Sequence, residues 1–299
     1  MKQTRKKRSL LAAGLLVAAT GAVLSGNAGA QAAEAGQAAE GACGTSFIGQ
    51  EPDGHLSKVV SEDGVISDTY RTADAVPWSL QALYETGGAG GGGAWSTSYL
   101  APAADGVLRS LSLRGAKGDP VMTEQSTTVE TDWRPHVMPS GTGFMLYTIE
   151  EDGDILTREI GRASDGSVEL GDHETLPVKA TDTKAAGIYW IRLDDGTERD
   201  VIYATDGETG ALRQIVVDPA DPASAQSHTL ADTGFEEFTH LKASYCGADE
   251  SISLVGVNSD TGDASWFEHA DALSHSGSTL STGQALGTDG QWQGWTGIG

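Results

Sequence analysis

The chain has few basic residues for its length. Its 299 residues include 19 Lys and Arg against 42 Asp and Glu, which gives a formal net charge of −23. A surface this negative repels the phosphates of nucleic acids and the head groups of anionic lipids. The composition therefore excludes nucleic acid as a partner and predicts no membrane binding, although solubility alone would favour the same charge.

Long apolar runs are equally scarce, and the one that exists lies at the N-terminus. The basic head MKQTRKKR precedes apolar residues 9–24, and a small-residue AGA cleavage site ends at residue 30. This order is typical of a secretory signal peptide, and a retained N-terminal anchor is the alternative. We therefore expect residues 1–30 to be removed and the mature protein to be secreted and extracellular. Residues 31–43, rich in Ala, Gln and Glu, are expected to form a flexible linker.

Familiar catalytic and metal-binding motifs are missing. The sequence has no Gly-x-Ser-x-Gly elbow and no His-Glu-x-x-His motif, and no Gly-Lys-Ser/Thr follows the glycine-rich segment 86–94. The seven histidines show no spacing suited to zinc. We therefore predict no catalytic residue, no metal ligand and no cofactor. The glycine-rich segment is expected to be a mobile loop, either a lid or a tolerated insertion.

What the sequence does contain is a recurring β-hairpin pattern. In LYTIEEDGDILTREI, residues 146–160, two alternating runs flank Asp152-Gly153, a dipeptide that readily supplies the positive φ angles of a tight turn. Four weaker copies align with it, and the aligned glycines, 47 to 57 residues apart, are Gly54, Gly106, Gly153, Gly210 and Gly262. A period near fifty residues in an all-β pattern indicates a propeller with one four-stranded meander per repeat.

The two ends of the chain complement each other in this scheme. Segments suited to an innermost strand precede four of the hairpins and begin at Trp78, Trp133, Gly187 and Phe235. The first hairpin has no such segment, whereas residues 291–299 have the pattern of an inner strand with no blade after it. We therefore predict that residues 44–299 form an all-β, five-bladed β-propeller with four-stranded antiparallel blades. The C-terminal strand would join the N-terminal blade and close the ring.

The two cysteines fit the same ring. Cys43 precedes the second strand of blade one, and Cys246 follows the first strand of blade five, so both should lie in equivalent turns of neighbouring blades. Cysteines of an exported protein are expected to be oxidised. The predicted Cys43–Cys246 disulfide would clamp the closing seam and contribute roughly 4–5 kcal/mol in the chain-entropy model. Two unrelated buried thiols are the alternative.

Five blades, aromatic-led inner strands and the LY…DG hairpin resemble the tachylectin family of five-bladed propeller lectins. The resemblance extends over residues 44–299 and implies a carbohydrate-binding propeller with one amino-sugar site per blade. In this chain the copies have diverged, and the turn dipeptide becomes Thr209-Gly210 and Thr261-Gly262 in the last two repeats. No individual binding residue of the family is carried over.

Acidic residues are concentrated in the five hairpin turns. In a meander these turns share a face with the connections between blades, so they should form one acidic rim. The rim could attract Ca²⁺ or a cationic partner. Alternatively, the aspartates are there because Asp suits turn geometry. The rim residues are Glu51, Asp53, Asp105, Glu150, Glu151, Asp152, Asp154, Asp206, Glu208, Asp260 and Asp263.

Seven tryptophans provide the main surface for stacking. Trp78, Trp133 and Trp292 open the predicted inner strands, where packing between blades is expected. A sugar ring stacks on an indole when polar groups lie nearby, and Trp266 beside two aspartates fits this pattern best. Core packing is the alternative for each ring. The candidate ligand-binding residues are Trp95, Trp190, Asp260, Asp263, Trp266 and Trp295.

These observations favour a secreted, non-catalytic carbohydrate-binding propeller of lectin type. One alternative is a propeller glycosidase, which would need paired carboxylates in the axial funnel. Another is an extracellular scaffold that binds protein partners through its acidic rim. Carboxylates converging on the funnel would distinguish the glycosidase from the two binding proteins.

Overall fold

The computed structural model describes residues 43–134, 136–164, 167–246 and 250–299. The predicted leader lies outside these ranges, as does the predicted linker up to residue 42. Within the described ranges, none of the helical segments has the length and apolar character needed to cross a bilayer.

Nineteen strands in the described residues are arranged as five antiparallel blades. Blade one contains β1 (Gly44–Gln50), β2 (Leu56–Glu62) and β3 (Val65–Thr72). Blade two contains β4 (Tyr84–Gly91), β5 (Ala94–Pro102), β6 (Val107–Ala116) and β7 (Asp119–Thr131). Blade three contains β8 (Ser140–Thr142), β9 (Met145–Ile149), β10 (Asp154–Arg162) and β11 (Val168–Lys179). Blade four contains β12 (Thr183–Arg192), β13 (Glu198–Asp206), β14 (Leu212–Asp218) and β15 (Asp221–Ala231). Blade five contains β16 (His240–Tyr245), β17 (Ile252–Asn258), β18 (Asp263–His269) and β19 (Gln284–Ala285).

Burial explains the sequence patterns of the strands. The middle strands are apolar runs because both of their faces are buried, and the outer strands are largely polar because they are exposed. Seven consecutive residues of β13, from Asp200 to Asp206, are buried because neighbouring blades pack on both faces of this strand. Most residues of the outermost strand β11 are exposed, and only Leu176 is buried. The apolar stretches therefore mark positions between blades, and the Thr- and Glu-rich stretches mark the perimeter.

The C-terminal segment completes blade one, as the sequence predicts. Gln50 and Thr296 exchange backbone hydrogen bonds of 2.9 and 3.0 Å, and Ile48 and Gly299 exchange two more of 2.7 and 2.8 Å. Behind this pairing, the ring of Trp292 meets Phe47 edge-on with centroids 5.3 Å apart. The innermost strand of the first blade thus comes from the last residues of the described chain.

A disulfide joins Cys43, which directly precedes β1, to Cys246, which directly follows β16. The bond links blade one to blade five on the far side of the seam from the hairpin turns. The predicted pairing of the two cysteines and their placement in neighbouring blades are both present in the structure. The hydroxyls of Thr45 and Ser253 form a further hydrogen bond across the same seam.

Each of the five hairpin turns makes the same backbone contact with the next connection between blades. The carbonyl of the turn glycine accepts a hydrogen bond of 2.8–3.0 Å from a backbone N–H of that connection. The glycine and donor pairs are Gly54–Val76, Gly106–Trp133, Gly153–Ala180, Gly210–Phe235 and Gly262–Trp292. The repeat read from the glycines therefore corresponds to one hydrogen bond that recurs around the ring.

The residue before each glycine also has a repeated role. Its side-chain oxygen accepts a hydrogen bond from the N–H two residues later, at 3.1–3.3 Å. These pairs are Asp53–His55, Asp105–Val107, Asp152–Asp154, Thr209–Ala211 and Thr261–Asp263. Asp and Thr both carry an oxygen at the required distance from the backbone, so the change from Asp-Gly to Thr-Gly preserves the turn.

The geometry of the turn differs from the prediction in one respect. Gly153 has φ of 82°, but Asp152 is not left-handed. The Gly153 N–H donates to the carbonyl of Glu150 at 3.0 Å, so the connection is a four-residue turn with glycine in its last position. A type I turn followed by one left-handed residue needs a single positive φ angle, which is why Asp at position 152 is free to cap the turn.

Two further expectations are wrong. The aromatic residues thought to open inner strands lie before them, in the connections: Trp78 precedes β4 by six residues and Trp133 precedes β8 by seven. These residues lie in the connections between blades, and the backbone N–H of Trp133 donates a hydrogen bond to the turn glycine Gly106. The glycine-rich segment is not a loop, since Gly87–Gly91 belongs to β4 and pairs with Ala94–Ser98 of β5. The glycine-rich part of β4 and its partner in β5 form the outer end of this hairpin, beyond the buried residues of the blade.

Candidate functional site

The inner strands meet closely around the axis and divide it into two openings. Strand β8 pairs in parallel with β4, β12 and β16, through Tyr84 opposite Gly141, Gly187 opposite Ser140, and Lys242 opposite Ser140. A Cβ atom on Gly141 would lie 1.8 Å from the carbonyl oxygen of Ile188. Only glycine permits this approach, so the inner strands close the axis at this level and separate its two ends.

The opening on the side of the hairpin turns leads to a cavity of about 130 Å³. The beginnings of four inner strands and Ile298 of the fifth line it, together with Pro102. Its polar groups come from Gln81, His136, Ser140, Lys184, Thr239 and His240. The described lining includes no carboxylate, although the chain has 42 acidic residues.

Hydrogen bonds fix the ring of His136 at this opening. Its Nε2 lies 3.1 Å from the carbonyl oxygen of Thr183 and must donate a proton to it. His240 Nδ1 lies 3.0 Å from the hydroxyl of Thr239. Burial lowers the pKa of His240 to about 4, although the charge of Asp260 acts in the opposite direction. At neutral pH His240 is therefore an uncharged imidazole.

The opposite opening is surrounded by aromatic side chains. Tyr189 and Trp190 lie near the end of β12, Tyr245 ends β16, and Phe144 follows β8. Their rings contact one another in series, and we call these four residues the aromatic cluster. The centroid distances are 5.2 Å for Phe144–Trp190, 6.0 Å for Tyr189–Trp190 and 6.3 Å for Tyr189–Tyr245.

The aromatic cluster remains accessible to solvent. Tyr245 is 42% exposed, one of three large apolar or aromatic side chains in the described residues with such exposure. Phe144, Tyr189 and Trp190 are partly buried. Partly exposed rings at the end of an axis are suited to stacking on the apolar face of a ligand, with the ring edges open to solvent.

The sequence SGTGF, residues 140–144, explains how Phe144 reaches this position. Gly143 has no room for a side chain, because a Cβ atom would lie 2.7 Å from the Tyr84 hydroxyl and 3.0 Å from Asp200 Oδ1. The turn after β8 therefore passes close to its neighbours and directs the next residue towards the opening. Phe144 then meets Trp190 at an interplanar angle of 65°.

Asp200 stabilises this turn through hydrogen bonds. Its carboxylate accepts hydrogen bonds from the N–H groups of Phe144 (2.9 Å) and Met145 (3.2 Å) and from the hydroxyl of Tyr147 (2.9 Å). Asp200 has no exposed surface. Burial raises the pKa of Asp200 to about 7, and the three hydrogen bonds only partly offset the loss of water. The residue supports the site without contact with solvent.

One carboxylate accompanies the aromatic cluster directly. Glu85, the second residue of β4, pairs in register with Thr142 and therefore lies at the same end of the axis. Burial raises the pKa of Tyr189, and the negative charge of Glu85 acts in the same direction. The hydroxyl of Tyr189 therefore stays protonated at neutral pH.

Cationic side chains lie at the edge of the aromatic cluster but are already paired. The guanidinium of Arg192 lies 5.7 Å from the centre of the Trp190 ring. The same guanidinium forms a salt bridge with Glu198. This pair covers one side of Trp190 and contributes little net charge to the opening.

Of the six residues predicted to bind ligand, Trp190 alone belongs to the aromatic cluster. Trp95 lies at the start of β5, where Lys58 Nζ is 4.1 Å from its ring centre and Tyr70 meets it edge-on at 5.5 Å. A Cβ atom on Gly115 would approach the Trp95 indole to 2.4 Å. Trp95 therefore packs against blade one and its own blade.

The other predicted residues lie at the seam. Trp266 and Trp295 are 4% and 8% exposed and belong to the core cluster that contains Trp292. Core packing, the alternative given for these rings, describes their environment. Asp260 and Asp263 are exposed in the turn between β17 and β18, so they do not form a surface site with Trp266.

The acidic rim is less negative than the sequence suggests. Arginine or lysine side chains from adjacent strands pair with several rim carboxylates, in Arg71–Asp53, Arg109–Asp105, Lys179–Asp154 and Arg213–Asp206. In the described part of the chain, the one group of three potential metal ligands is Cys43, Cys246 and Glu268, two of which form the disulfide.

Sequence reasoning missed Glu85, Phe144, Tyr189 and Tyr245. A signal for three of them exists, since the segments identified as inner strands end in ALYE, GIYWIRL and LKASY, each with an aromatic residue near its end. Their convergence depends on the parallel register of β4, β8, β12 and β16, which local patterns do not encode.

Comparisons with known proteins provide similar architectures. A DUF4623 family protein from Bacteroides eggerthii has 13% identity and a TM-score of 0.35, with 83% of this chain covering 62% of that protein, less than two-thirds of its length. A GH43_1 enzyme from Xanthomonas citri has 13% identity and a TM-score of 0.34, over 83% of this chain and 88% of that one.

A further solved structure is CoXyl43, a GH43 β-xylosidase/α-arabinofuranosidase from a compost metagenome in complex with xylotriose. It has 11% identity and a TM-score of 0.33, over 84% of this chain and 94% of that one. No protein-family model matches this chain, and no curated protein sequence does. Similarity at this level carries no inference about activity, so the function is argued from the site itself.

Proposed function

We propose that this protein is a secreted, non-catalytic carbohydrate-binding propeller whose binding site is the aromatic cluster. The observation that carries the proposal is the set of four solvent-accessible rings around one end of the axis, with Glu85 of β4 at the same end. Sugars present apolar C–H faces and hydroxyl edges. Aromatic rings with a few polar groups complement both parts of such a ligand.

The distribution of carboxylates argues against paired-carboxylate hydrolysis at the other opening. Glycosidases of that type need two carboxyl groups about 5–10 Å apart on either side of the scissile bond. The described residues that line the axial cavity itself provide imidazole, ammonium, amide and hydroxyl groups instead, and Asp182 and Glu208 line the more open depression beside His136. At the aromatic opening, Asp200 is fully enclosed and Glu198 is paired with Arg192, so among the described residues Glu85 has no second carboxylate suited to catalysis.

The scaffold alternative is weakened by the salt bridges of the rim. A partner attracted by long-range charge needs an unbalanced field, and arginine or lysine partners reduce that field at four of the five hairpin turns. The exposure of the four aromatic rings is not accounted for by pairing of this kind. The exposed parts of these rings do not contribute to the core, and ligand binding would account for their exposure.

Two tryptophans of the chain form a matched pair for the test. Trp190 and Trp78 are both partly buried, and an arginine lies over each ring, at 5.7 Å for Arg192 and 5.0 Å for Arg109. Trp78 lies in a connection on the hairpin side, away from the aromatic cluster. A glycan array identifies bound sugars, and calorimetry then compares Trp190→Ala, Tyr245→Ala and Trp78→Ala.

We expect the two substitutions in the aromatic cluster to weaken binding about tenfold, which corresponds to the ~1.4 kcal/mol of one lost stacking contact. Trp78→Ala should bind like the unmodified protein. A silent array, or equal losses in all three variants, would remove the proposal.

A further inference from the structure

The connection between β18 and β19 contributes to a network of histidines between blades four and five. We call this connection, residues 270–283, the connecting segment. It contains two short 3-10 turns, Ala272–Ser274 and Gly277–Thr279. The second turn packs closely on β15, since a Cβ atom on Gly277 would lie 1.7 Å from the carbonyl oxygen of Leu230. The connecting segment of blade five thus covers part of the outermost strand of blade four.

Two histidine rings stack across this contact. His228 of β15 and His275 of the connecting segment have ring centroids 4.1 Å apart and an interplanar angle of 4°. His228 Nε2 is buried, and no polar group in the described residues is within hydrogen-bond distance of it. Two neutral imidazoles can stack in this way, whereas two imidazolium ions would repel each other. The stacked pair therefore requires at least one ring to stay uncharged.

Hydrogen bonds select the neutral form of His275. Gln214 lies opposite His228 in the pairing of β14 with β15, and its Nε2 donates to the carbonyl oxygen of Ala272 at 2.7 Å. The Gln214 side-chain oxygen therefore remains as an acceptor, and His275 Nδ1, 3.0 Å away, must donate to it. A second proton on His275 would go to Nε2 and give the ring a positive charge beside His228.

His269, the last residue of β18, is also held in its neutral form. Its Nε2 lies 3.3 Å from the carbonyl oxygen of Ser276 and donates to it, so Nδ1 carries a lone pair. Burial raises the pKa of Tyr203, so its hydroxyl keeps its proton and donates it to this Nδ1 at 2.8 Å. A second proton on His269 would remove the acceptor of the Tyr203 hydroxyl. It would also place a charge on a side chain that has no exposed surface.

The remaining charged side chains on the strands of this network point away from it. Arg213 precedes Gln214 on β14 and pairs with Asp206. Glu268 precedes His269 on β18 and lies near the two cysteines. Because successive side chains of a strand point to opposite faces, neither charge lies on the face that carries the histidines.

The local electrostatics favour the uncharged rings. Burial lowers the pKa of both His269 and His275 below the ordinary value of 6.5. The charge of His228 lowers the pKa of His275 further. The carboxylate of Asp271 in the connecting segment acts in the opposite direction on both rings without cancelling the effect of burial. The network is therefore complete at neutral pH and is disturbed by protons.

We propose that this network is an acid-sensitive latch, in which protonation of His228, His269 and His275 below about pH 6 releases the connecting segment from blade four. Release uncovers the apolar side chains of Ala272, Leu273 and Leu280, which pack on the core cluster between blades four and five. The inference is independent of the proposed function, because the histidines share no residue with the aromatic cluster.

Hydrogen–deuterium exchange read by mass spectrometry tests the latch at about pH 7.5 and about pH 5, with rates corrected for the intrinsic effect of pH. His228→Phe keeps an aromatic ring for stacking but cannot take up a proton. His275→Asn removes the second ring, and asparagine tolerates the left-handed φ of 58° at this position. His173→Gln is the control, since His173 is exposed on the outer strand β11 of blade three.

In the unmodified protein, we expect peptides from the connecting segment to exchange about tenfold faster at the lower pH, as when one proton binds the released form about ten times more tightly. The direction follows from the lowered pKa values of His269 and His275, because stability from such groups is present above 6.5 and is lost as the pH falls. Peptides from β13 should stay protected at both pH values.

The variants should separate the stacked pair from the rest of the network. His228→Phe should reduce the pH response to about twofold, because a phenyl face attracts an imidazolium instead of repelling it. His275→Asn should exchange quickly at both pH values, since the stack is then absent throughout. His173→Gln should respond like the unmodified protein.

Three results would overturn the proposal. Equal protection of the connecting segment at both pH values in the unmodified protein would show that the network does not respond to protons. Loss of protection throughout the propeller at the lower pH would indicate general acid unfolding rather than a local release. An unchanged pH response in both His228→Phe and His275→Asn would assign the effect to other groups.

Discussion

The carbonyl of Gly262 accepts a hydrogen bond of 3.0 Å from the backbone N–H of Trp292. This bond is the fifth copy of the contact between a hairpin turn and the following connection, and it leads the chain back to blade one. Trp292 is fully buried, and its neighbours are Phe47 of β1 and Trp295 of the closing segment. Propeller closure therefore combines a repeated local bond with one non-repeated aromatic core.

The turn glycines provide a direct test of that repeated contact. In Gly153→Ala, the residue must keep φ of 82°, and its Cβ would lie 2.7 Å from the backbone nitrogen of Thr181. We expect the free energy of unfolding to fall by about 1–3 kcal/mol. Gly91→Ala is the control, since its Cβ would meet nothing within 4 Å. Urea unfolding curves measure both, and equal midpoints would contradict the assignment.

Removal of residues 296–299 tests closure. The deletion removes four backbone hydrogen bonds to Ile48 and Gln50 and leaves the edge of β1 unpaired. We expect a lower thermal midpoint and concentration-dependent aggregation through the exposed edge. Thr296→Ala keeps the backbone bonds and should behave like the unmodified protein. Light scattering during thermal unfolding distinguishes the two, and a monomeric, equally stable deletion variant would disprove this role.

The disulfide is expected to stabilise the seam by restricting the unfolded chain. Cys43 and Cys246 are 203 residues apart, so their bond closes a long loop. Replacing both with serine should lower the free energy of unfolding by about 4–5 kcal/mol in the chain-entropy model. Unfolding of the unmodified protein with and without reductant provides an independent comparison. A double variant as stable as the oxidised protein would show that the aromatic core alone holds the ends together.

Asp200 should make stability depend on pH in an unusual direction. Its folded-state pKa of about 7 lies above the ordinary value of 3.8, so between these values the folded protein keeps a proton that the unfolded chain releases. The free energy of unfolding therefore falls as the pH rises from about 4 to about 7. Asp200→Asn cannot ionise and should show a flatter dependence in urea unfolding across this range.

Asp105→Asn is the control with the opposite sign. The hydrogen bond from Arg109 holds the pKa of Asp105 below its usual value, so the contribution of Asp105 is present above the unfolded pKa and is lost on acidification. Its removal should change stability only at acidic pH. If Asp200→Asn and the unmodified protein follow parallel curves between pH 4 and pH 7, Asp200 is already ionised in the fold.

The fold could be predicted because its determinants are local and repeated. Gly54, Gly106 and Gly153 each follow an aspartate that caps the same turn, and a fixed spacing of such turns indicates blades. Closure followed from counting strands at the two ends. The exact start of each inner strand could not be predicted. Trp133 and Trp292 lie before the inner strands because their N–H groups donate hydrogen bonds to the preceding hairpin turns, and local sequence does not show these contacts.

The aromatic opening could not be predicted from the same information. Glu85, Phe144, Tyr189 and Tyr245 come from four different blades and meet only because their inner strands run in parallel register around the axis. The abundance of tryptophan led to the prediction that Trp266 and Trp295 bind ligand, but their large rings are buried in the core cluster at the seam. Which aromatic ring stays accessible depends on the closeness of the inner strands, and Gly141 and Gly143 set that closeness.

Ile48 pairs with Gly299, so the two ends of the chain lie side by side in blade one. The termini could therefore be moved to another blade without a change in the fold. A connector of roughly five residues would span from residue 299 to residue 43, at about 3.3 Å per extended residue. New termini could then be opened at the exposed turn between Ala116 and Asp119. Such a circular permutant would have a continuous meander in blade one, and its Cys43–Cys246 bond would no longer reinforce a seam.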